Sequence, residues 1–86
     1  MSLTTNTDAI TPEELAEARR YSMLIAWSPE DEVYIVSVPE FPGLQTHGAT
    51  HQEAVEMGEE AIAIWITGNR RLGLPVPDPQ FAMIAV

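Results

Sequence analysis

Two short runs of mainly apolar residues, separated by a polar segment, predict a β-hairpin in the first half of the chain. Apolar side chains occupy nearly every position over residues 21–27 and again over 33–38. Short runs rich in β-branched and aromatic residues are typical of β-strands. The segment 28–32 between the two runs is polar and contains a proline, which favours a turn. A third strand is predicted over 44–47, because prolines precede this short run and Gly48 follows it.

A helix is predicted before the hairpin, over residues 12–20. Thr11 is a suitable N-cap, and Pro12 suits the first helical position. Glu14 is placed to complete a capping box with the threonine. The residues before this helix, 1–11, are mostly small and polar, and we expect them to form a flexible tail.

A second and much longer helix is predicted over residues 51–72. Thr50 and Glu53 provide a capping box at its start. No proline interrupts the segment, and Gly73 is placed to end it. Helical periodicity predicts a polar outer face made of Glu53, Glu56, Glu60, Ala63, Thr67 and Arg70. The face predicted to pack on the sheet consists of Ala54, Gly58, Ala61, Ile62, Trp65 and Leu72.

Together these elements predict an α+β fold in the order α-β-β-β-α-β. The last strand is expected over residues 81–86, after an extended linker that contains three prolines between 75 and 79. No internal repeat is visible. We therefore expect a single domain over 12–86, in which an antiparallel sheet packs against one long helix.

Both faces of the predicted sheet are apolar. We expect one face to carry Met23, Ile25 and Trp27, and the other to carry Leu24, Val36 and Val38. The long helix covers only one face, and the predicted N-terminal helix has too narrow an apolar stripe to cover the other. We therefore expect the chain to form a homo-oligomer, most simply a two-fold dimer.

The composition describes a small acidic globular domain. Of its 86 residues, 45% are hydrophobic and 20% are charged, and 13 acidic residues against 4 arginines give a net charge of −9. We expect no direct binding of nucleic acid, because Lys and Arg supply most of the affinity for phosphate. A basic protein partner is favoured instead. The absence of cysteine predicts a cytoplasmic protein without disulfides, and no membrane span or signal peptide is expected.

The sequence offers little for catalysis. It contains no cysteine, no Gly-x-Ser-x-Gly motif and no Gly-rich phosphate loop. His47 and His51 are separated by a turn rather than placed on one helical face, so we predict no metal site and no cofactor. Two alternatives stay open: a degenerate metal-dependent nuclease or hydrolase that uses the acidic turn at 30–32, and an orphan module that only oligomerises.

The acidic residues of the hairpin turn and the long helix are the candidates for contact with a basic partner. They are Glu30, Asp31, Glu32, Glu53, Glu56 and Glu60. The two tryptophans, Trp27 and Trp65, follow the apolar periodicity of their elements and are predicted to be core anchors.

Five short motifs occur in a fixed order within residues 21–86. In chain order they are Tyr34, the corner Pro39-Glu40-Phe41-Pro42-Gly43, Gly48-x-Thr50-x-x-Glu53-Ala54, Glu60-Ala61 with Trp65, and Gly73-x-Pro75-x-Pro77. Their order and spacing resemble those of the HicB-like antitoxin family.

This resemblance implies a partial ribonuclease-H-like fold of order β-β-β-α-β that has no nuclease activity of its own. It also implies that the chain binds a small basic toxin of the HicA type, an mRNA-cleaving ribonuclease, and blocks its active site. Typical members continue into a ribbon-helix-helix or helix-turn-helix domain that represses their operon. The present sequence stops at the last predicted strand, so we do not expect it to bind DNA, and its helix over 12–20 is additional to the usual start.

Overall fold

The computed structural model describes residues 10–79 and contains a three-stranded antiparallel sheet with a long helix on one face. Its elements are α1 (Pro12–Ala18), β1 (Leu24–Ser28), β2 (Val33–Ser37), β3 (Gln45–Gly48) and α2 (His51–Leu72). The strands lie in the order β1-β2-β3. The predicted α+β class and element order are confirmed for this part of the chain. The predicted strand over 81–86 and most of the predicted tail lie outside the described residues.

The element boundaries differ from the predicted ones where the chain turns into the core. α1 ends at Ala18, and Arg19 is its C-cap. Tyr21, predicted to open the first strand, instead follows a turn in which its N–H donates to the Ala18 carbonyl. The strand therefore begins only at Leu24, while α2 has the predicted bounds. The local caps at Thr50 and Gly73 set both ends of α2.

The strand register decides which side chains share a face. Ile25 lies opposite Val36, and Trp27 lies opposite Tyr34, so these four side chains are on the face that α2 covers. Leu24 lies opposite Ser37, so the predicted grouping of Leu24 with Val36 is wrong. The other face, which we call the open face, is formed by Leu24, Ala26, Ser28, Val33, Ile35, Ser37, Gln45 and His47.

The buried side of α2 departs from the predicted one at two positions. Ala63, predicted on the outer face, is buried because α1 packs against that side of α2. Leu72, predicted to pack on the sheet, is 74% exposed. The helix is about 33 Å long, whereas a five-residue strand spans about 17 Å, so the last turns of α2 extend beyond the sheet. Ala54, Gly58 and Ile62 are buried as predicted.

The core is organised around Phe41, the central residue of the corner between β2 and β3. Its ring stacks on Trp65 of α2 with centroids 4.1 Å apart. The ring of Tyr21 packs against it at a tilt, with centroids 4.9 Å apart. Phe41 is only 1% exposed. The corner thereby joins the sheet to the middle of α2 and to the residues that follow α1.

The preceding residue, Glu40, anchors the same corner by hydrogen bonds. Its carboxylate is buried and accepts hydrogen bonds from the backbone N–H of Ser22 at 3.2 Å and from the Ser22 hydroxyl at 3.0 Å. A buried carboxylate is tolerated only where such donors replace water. These bonds fix the start of the sheet against the corner.

Tyr21 also holds the segment that follows α2. Its hydroxyl donates a 2.6 Å hydrogen bond to the carbonyl oxygen of Pro77. Burial, the largest cause, together with the nearby carboxylates of Glu17 and Asp78, raises the pKa of this hydroxyl. Val76, which lies along the chain between α2 and Pro77, packs against the core.

The junction between β3 and α2 requires a glycine. A Cβ atom on Gly48 would meet the backbone of Ala54, with its Cα at 2.8 Å. Backbone cannot move aside as a flexible side chain can, so any larger residue would displace α2 from the strand. In contrast, a Cβ on Gly68 in the last part of α2 would meet no other atom within 4 Å.

We expect opposite effects from the same substitution at these two glycines. Gly48→Ala should lower the free energy of unfolding by about 1–3 kcal/mol through steric overlap. Gly68→Ala should raise it by up to about 1 kcal/mol, because alanine is the better helix former. Urea denaturation followed by circular dichroism measures both changes. Equal effects of the two substitutions would show that the backbone of α2 does not lie too close to Gly48 for a side chain to fit there.

Candidate partner-binding surface

The β1–β2 turn displays three acidic side chains. The Glu32 N–H donates to the Ser28 carbonyl at 2.7 Å, and Glu32 has a φ of 57°, in the left-handed region that non-glycine residues seldom occupy. The Asp31 N–H donates to the Ser28 hydroxyl at 3.4 Å. This tight backbone leaves Glu30, Asp31 and Glu32 exposed to solvent.

The acidic turn and the start of α2 lie at the same end of the molecule. Tyr34, the second residue after the turn, pairs with Gly48, and α2 begins three residues later. Glu53, in the first turn of α2, therefore shares this end with Glu30, Asp31 and Glu32. We call these four residues the acidic end. Four of the six predicted partner-binding residues are thus brought together.

The other two predicted residues lie further along α2. Glu56 and Glu60 are about 5 and 10 Å beyond Glu53 at 1.5 Å per residue. Glu56 accepts a 3.5 Å hydrogen bond from Gln52. Glu60 is half-buried and lines an open groove of about 430 Å³ between α1 and α2, whose floor includes Ile10. Glu60 is therefore separated from the acidic end.

Glu53 has a structural role as well as a charge. The Thr50 hydroxyl accepts a 3.0 Å hydrogen bond from the Glu53 N–H, as expected for an N-cap. The Glu53 carboxylate accepts from the N–H of Ala49 rather than from that of Thr50, so the predicted capping box is displaced by one residue. The exposed Glu53 side chain is therefore held at the junction by one of its oxygens.

The two arginines of α2 lie away from the acidic end. Arg19 and Arg20 follow α1, and Arg70 and Arg71 belong to the last turn of α2. Arg70 follows Glu53 by seventeen positions along α2, which corresponds to about 25 Å. The Debye length at physiological salt is about 8 Å, so the arginines at the end of α2 do not neutralise the acidic end.

Arginines and acidic residues instead attach α1 to α2. Arg19 pairs with Glu59 at 3.2 Å, and Arg70 forms a two-pronged ion pair with Glu17. This hydrogen-bonded pair raises the pKa of the Arg70 guanidinium. Sequence reasoning did not identify these pairs, since no spacing along the chain relates residues 40 or 53 positions apart.

Glu14 also links the two helices. Its carboxylate accepts a 2.9 Å hydrogen bond from the Thr11 N–H and a 3.1 Å bond from the Thr67 hydroxyl. The backbone bond from Thr11 is the largest cause that lowers the pKa of Glu14, and the bond from Thr67 acts in the same direction. The capping box predicted for α1 is confirmed.

An exposed aromatic group borders the acidic end. Trp27 is 50% exposed, so its prediction as a core anchor is wrong, whereas Trp65 packs against the core as predicted. The reason is that α2 lies over β3 and β2 and leaves the outer strand β1 partly uncovered. Trp27 packs edge-on against Tyr34 at 5.0 Å, and Tyr34 contacts the ring of His51 at 4.1 Å.

The two histidines do not come together. His51 contacts Tyr34 on the side of the sheet covered by α2, whereas His47 lies on the open face. Among residues 10–79 no cluster of three or more histidine or acidic side chains has a geometry that could hold a metal ion. Within the same range, no helix combines the length and the hydrophobicity needed to cross a membrane.

Comparison with known proteins gives two matches. Residues 21–84 match the model of a family described as HicB_like antitoxin of bacterial toxin-antitoxin system. The chain is also 33% identical over 67 residues to the UPF0150 protein Ta0767 of Thermoplasma acidophilum. The aligned segment covers 78% of this chain and 96% of the relative. No solved structure matches the chain significantly. The family match begins at Tyr21, so α1 precedes the matched region.

The attachment of α1 should depend on pH through Glu14. Because folding lowers the pKa of Glu14, its stabilising contribution is complete above the unfolded value of 4.5 and is lost as the pH falls through the lower folded value. We expect Glu14→Gln to melt below the wild type at pH 7 and to match it near pH 2. Thermal unfolding across this range measures the difference. A difference that persists unchanged in acid would contradict the role of the ionised carboxylate.

Proposed function

Because the chain belongs to the HicB-like antitoxin family of bacterial toxin–antitoxin systems, we propose that it binds a small basic ribonuclease toxin of the HicA type and masks its active site. The family match carries the antitoxin role. The observation that supports a basic partner is the acidic end, where four carboxylates lie far from the arginines of α2. A toxin that cleaves mRNA works in the cytoplasm, so the two proteins would meet there.

Electrostatics explains why such a surface suits this partner. A ribonuclease must present cationic side chains to the phosphates of RNA. A concentrated negative field attracts the same cationic surface, accelerates encounter and orients the two proteins. An antitoxin that covers these cations competes with RNA directly. Binding would thus suffice for inhibition, and no catalytic group of the antitoxin would be needed.

Neutralising the acidic turn should slow association with the toxin. We compare Glu30→Gln/Asp31→Asn with the control Glu13→Gln/Asp78→Asn, which removes the same charge from exposed acids elsewhere. The first variant should lower the association rate constant with a purified HicA-type toxin by about tenfold at low salt. The control should change it much less. At about 0.5 M NaCl the difference should largely vanish, because the Debye length is then about 4 Å.

Surface plasmon resonance gives the rates, and an RNA-cleavage assay gives the inhibition. A wild-type chain that neither binds the toxin encoded beside it nor prevents RNA cleavage would refute the proposed function. Equal slowing by both variants would show that net charge matters but the acidic end does not. Tight stoichiometric binding of Mg²⁺ that Asp31→Ala abolishes would indicate a metal-dependent hydrolase instead.

We also propose that two copies of the chain associate through the open face. Seven of its eight residues have no ionisable side chain, and none of the eight is acidic, although the chain carries a net charge of −9. Leu24 on this face is 63% exposed. The face continues into a cavity of about 420 Å³ beside the corner, lined by Pro39, Pro42 and Leu44 among others. This surface allows a second copy to approach without opposing like charges and to bury apolar area.

A single charge on the open face should prevent this association. Leu24→Glu places a carboxylate in the proposed interface, while Leu72→Glu adds the same charge at an exposed site at the end of α2. Sedimentation equilibrium at micromolar concentration should give a dimer for the wild type and Leu72→Glu, and a monomer for Leu24→Glu. A wild-type mass of one chain would contradict the dimer. If the wild type and both variants are dimers, the interface lies elsewhere on the chain.

A further inference from the structure

Trp27, Tyr34 and His51 form a continuous aromatic group that runs from the outer strand β1 to the start of α2. Their rings contact each other in sequence, at 5.0 Å and 4.1 Å between centroids. Trp27 ends the row and is half exposed, since within residues 10–79 neither helix packs closely on this part of β1. We call these three residues the aromatic edge. A large aromatic side chain in contact with solvent is typical of binding hot spots.

The aromatic edge adjoins the acidic end. Trp27 is separated from the acidic turn by only Ser28 and Pro29, and its cross-strand neighbour Tyr34 is the second residue after that turn. The carboxylates of Glu30, Asp31 and Glu32 are exposed. The chain therefore places a half-exposed indole ring within three to five residues of three exposed carboxylates, with the arginines of α2 at the far end of the helix.

This combination matches the chemistry of one side chain in particular. A guanidinium group is planar, stacks on an indole face and still directs its N–H groups toward carboxylates in its own plane. A lysine ammonium forms the ion pair but lacks the flat surface for stacking. A purely apolar side chain would leave the carboxylates without a partner.

We propose that Trp27 and the acidic turn form a docking site for an arginine side chain of the basic partner. The inference rests on the proposed function and adds to it the residue that anchors the complex. Charge decides the occupant: two chains that each carry −9 repel one another at this end, whereas a cationic protein is attracted to it. In the complex, Trp27 would lie at the centre of the contact and the three carboxylates at its border.

The size of the effect sets the design of the test. A cation–π contact that is desolvated in a complex corresponds to about a thirtyfold change in affinity. Phenylalanine retains a weaker ring quadrupole, and leucine retains apolar area with no ring. The series Trp27→Phe and Trp27→Leu therefore separates stacking on a cation from simple burial of apolar surface.

The experiment measures the dissociation constant of each variant with the purified HicA-type toxin by isothermal titration calorimetry. The matched control is Leu74→Ala, because Leu74 is also 50% exposed and follows the far end of α2. We expect a loss of about three- to tenfold for Trp27→Phe and about thirtyfold for Trp27→Leu, with the control within twofold of the wild type. Circular dichroism melting verifies that each variant is folded.

A second measurement follows Trp27 without replacing it. In a Trp65→Phe background, which keeps an aromatic ring against Phe41 and whose folding circular dichroism verifies, Trp27 is the only tryptophan of the chain. Covering its half-exposed indole by the toxin should shift its emission to shorter wavelength and protect it from quenching by acrylamide. This readout stays valid if a substitution at Trp27 impairs folding.

Each outcome decides between the two proposals. If the wild type binds and the Trp27 variants lose affinity in the expected order, the docking site is supported. If the wild type binds but Trp27→Leu binds equally well, or Trp27 emission does not change, the docking site is refuted and the proposed function stands. If the wild type does not bind the toxin, both proposals fail.

Discussion

The packing of Phe41 against Trp65 and Tyr21 is the interaction on which the rest of the structure depends. It joins three segments that are distant along the chain: the turn after α1, the corner after β2 and the middle of α2. A contact confined to any one of these segments would leave the other two free to move. Because Phe41 is fully enclosed, it fixes the height of α2 above the sheet and therefore the position of both ends of that helix.

The candidate surfaces follow from this placement. With α2 over β3 and β2, its N-terminus reaches the end of the sheet where the acidic turn lies, and Trp27 on β1 is left at the border. The open face lies on the opposite side of the sheet. The proposed toxin site and the proposed dimer interface are therefore separate, so two copies of the chain could each hold a toxin at the same time.

The sequence predicts those features that a few neighbouring residues determine. Both bounds of α2 follow from Thr50 and Gly73, because capping acts within one helical turn. The acidic turn is equally local. Tertiary placement determines the rest: Ala63 is buried because α1 covers it, and Trp27 is exposed because α2 does not. Periodicity along one element carries no information about which part of that element a neighbour reaches.

The hydrogen bond from Tyr21 to Pro77 has a consequence for how the chain folds. It joins residues 56 positions apart, and the entropic cost of closing a loop rises with its length. Because Pro77 reaches the tyrosine only with the corner and α2 in place, we expect this contact to form late in folding. Interactions that form after the transition state slow unfolding and leave the folding rate unchanged. We therefore expect this hydrogen bond to prolong the lifetime of the native state by slowing unfolding, without changing the rate of folding.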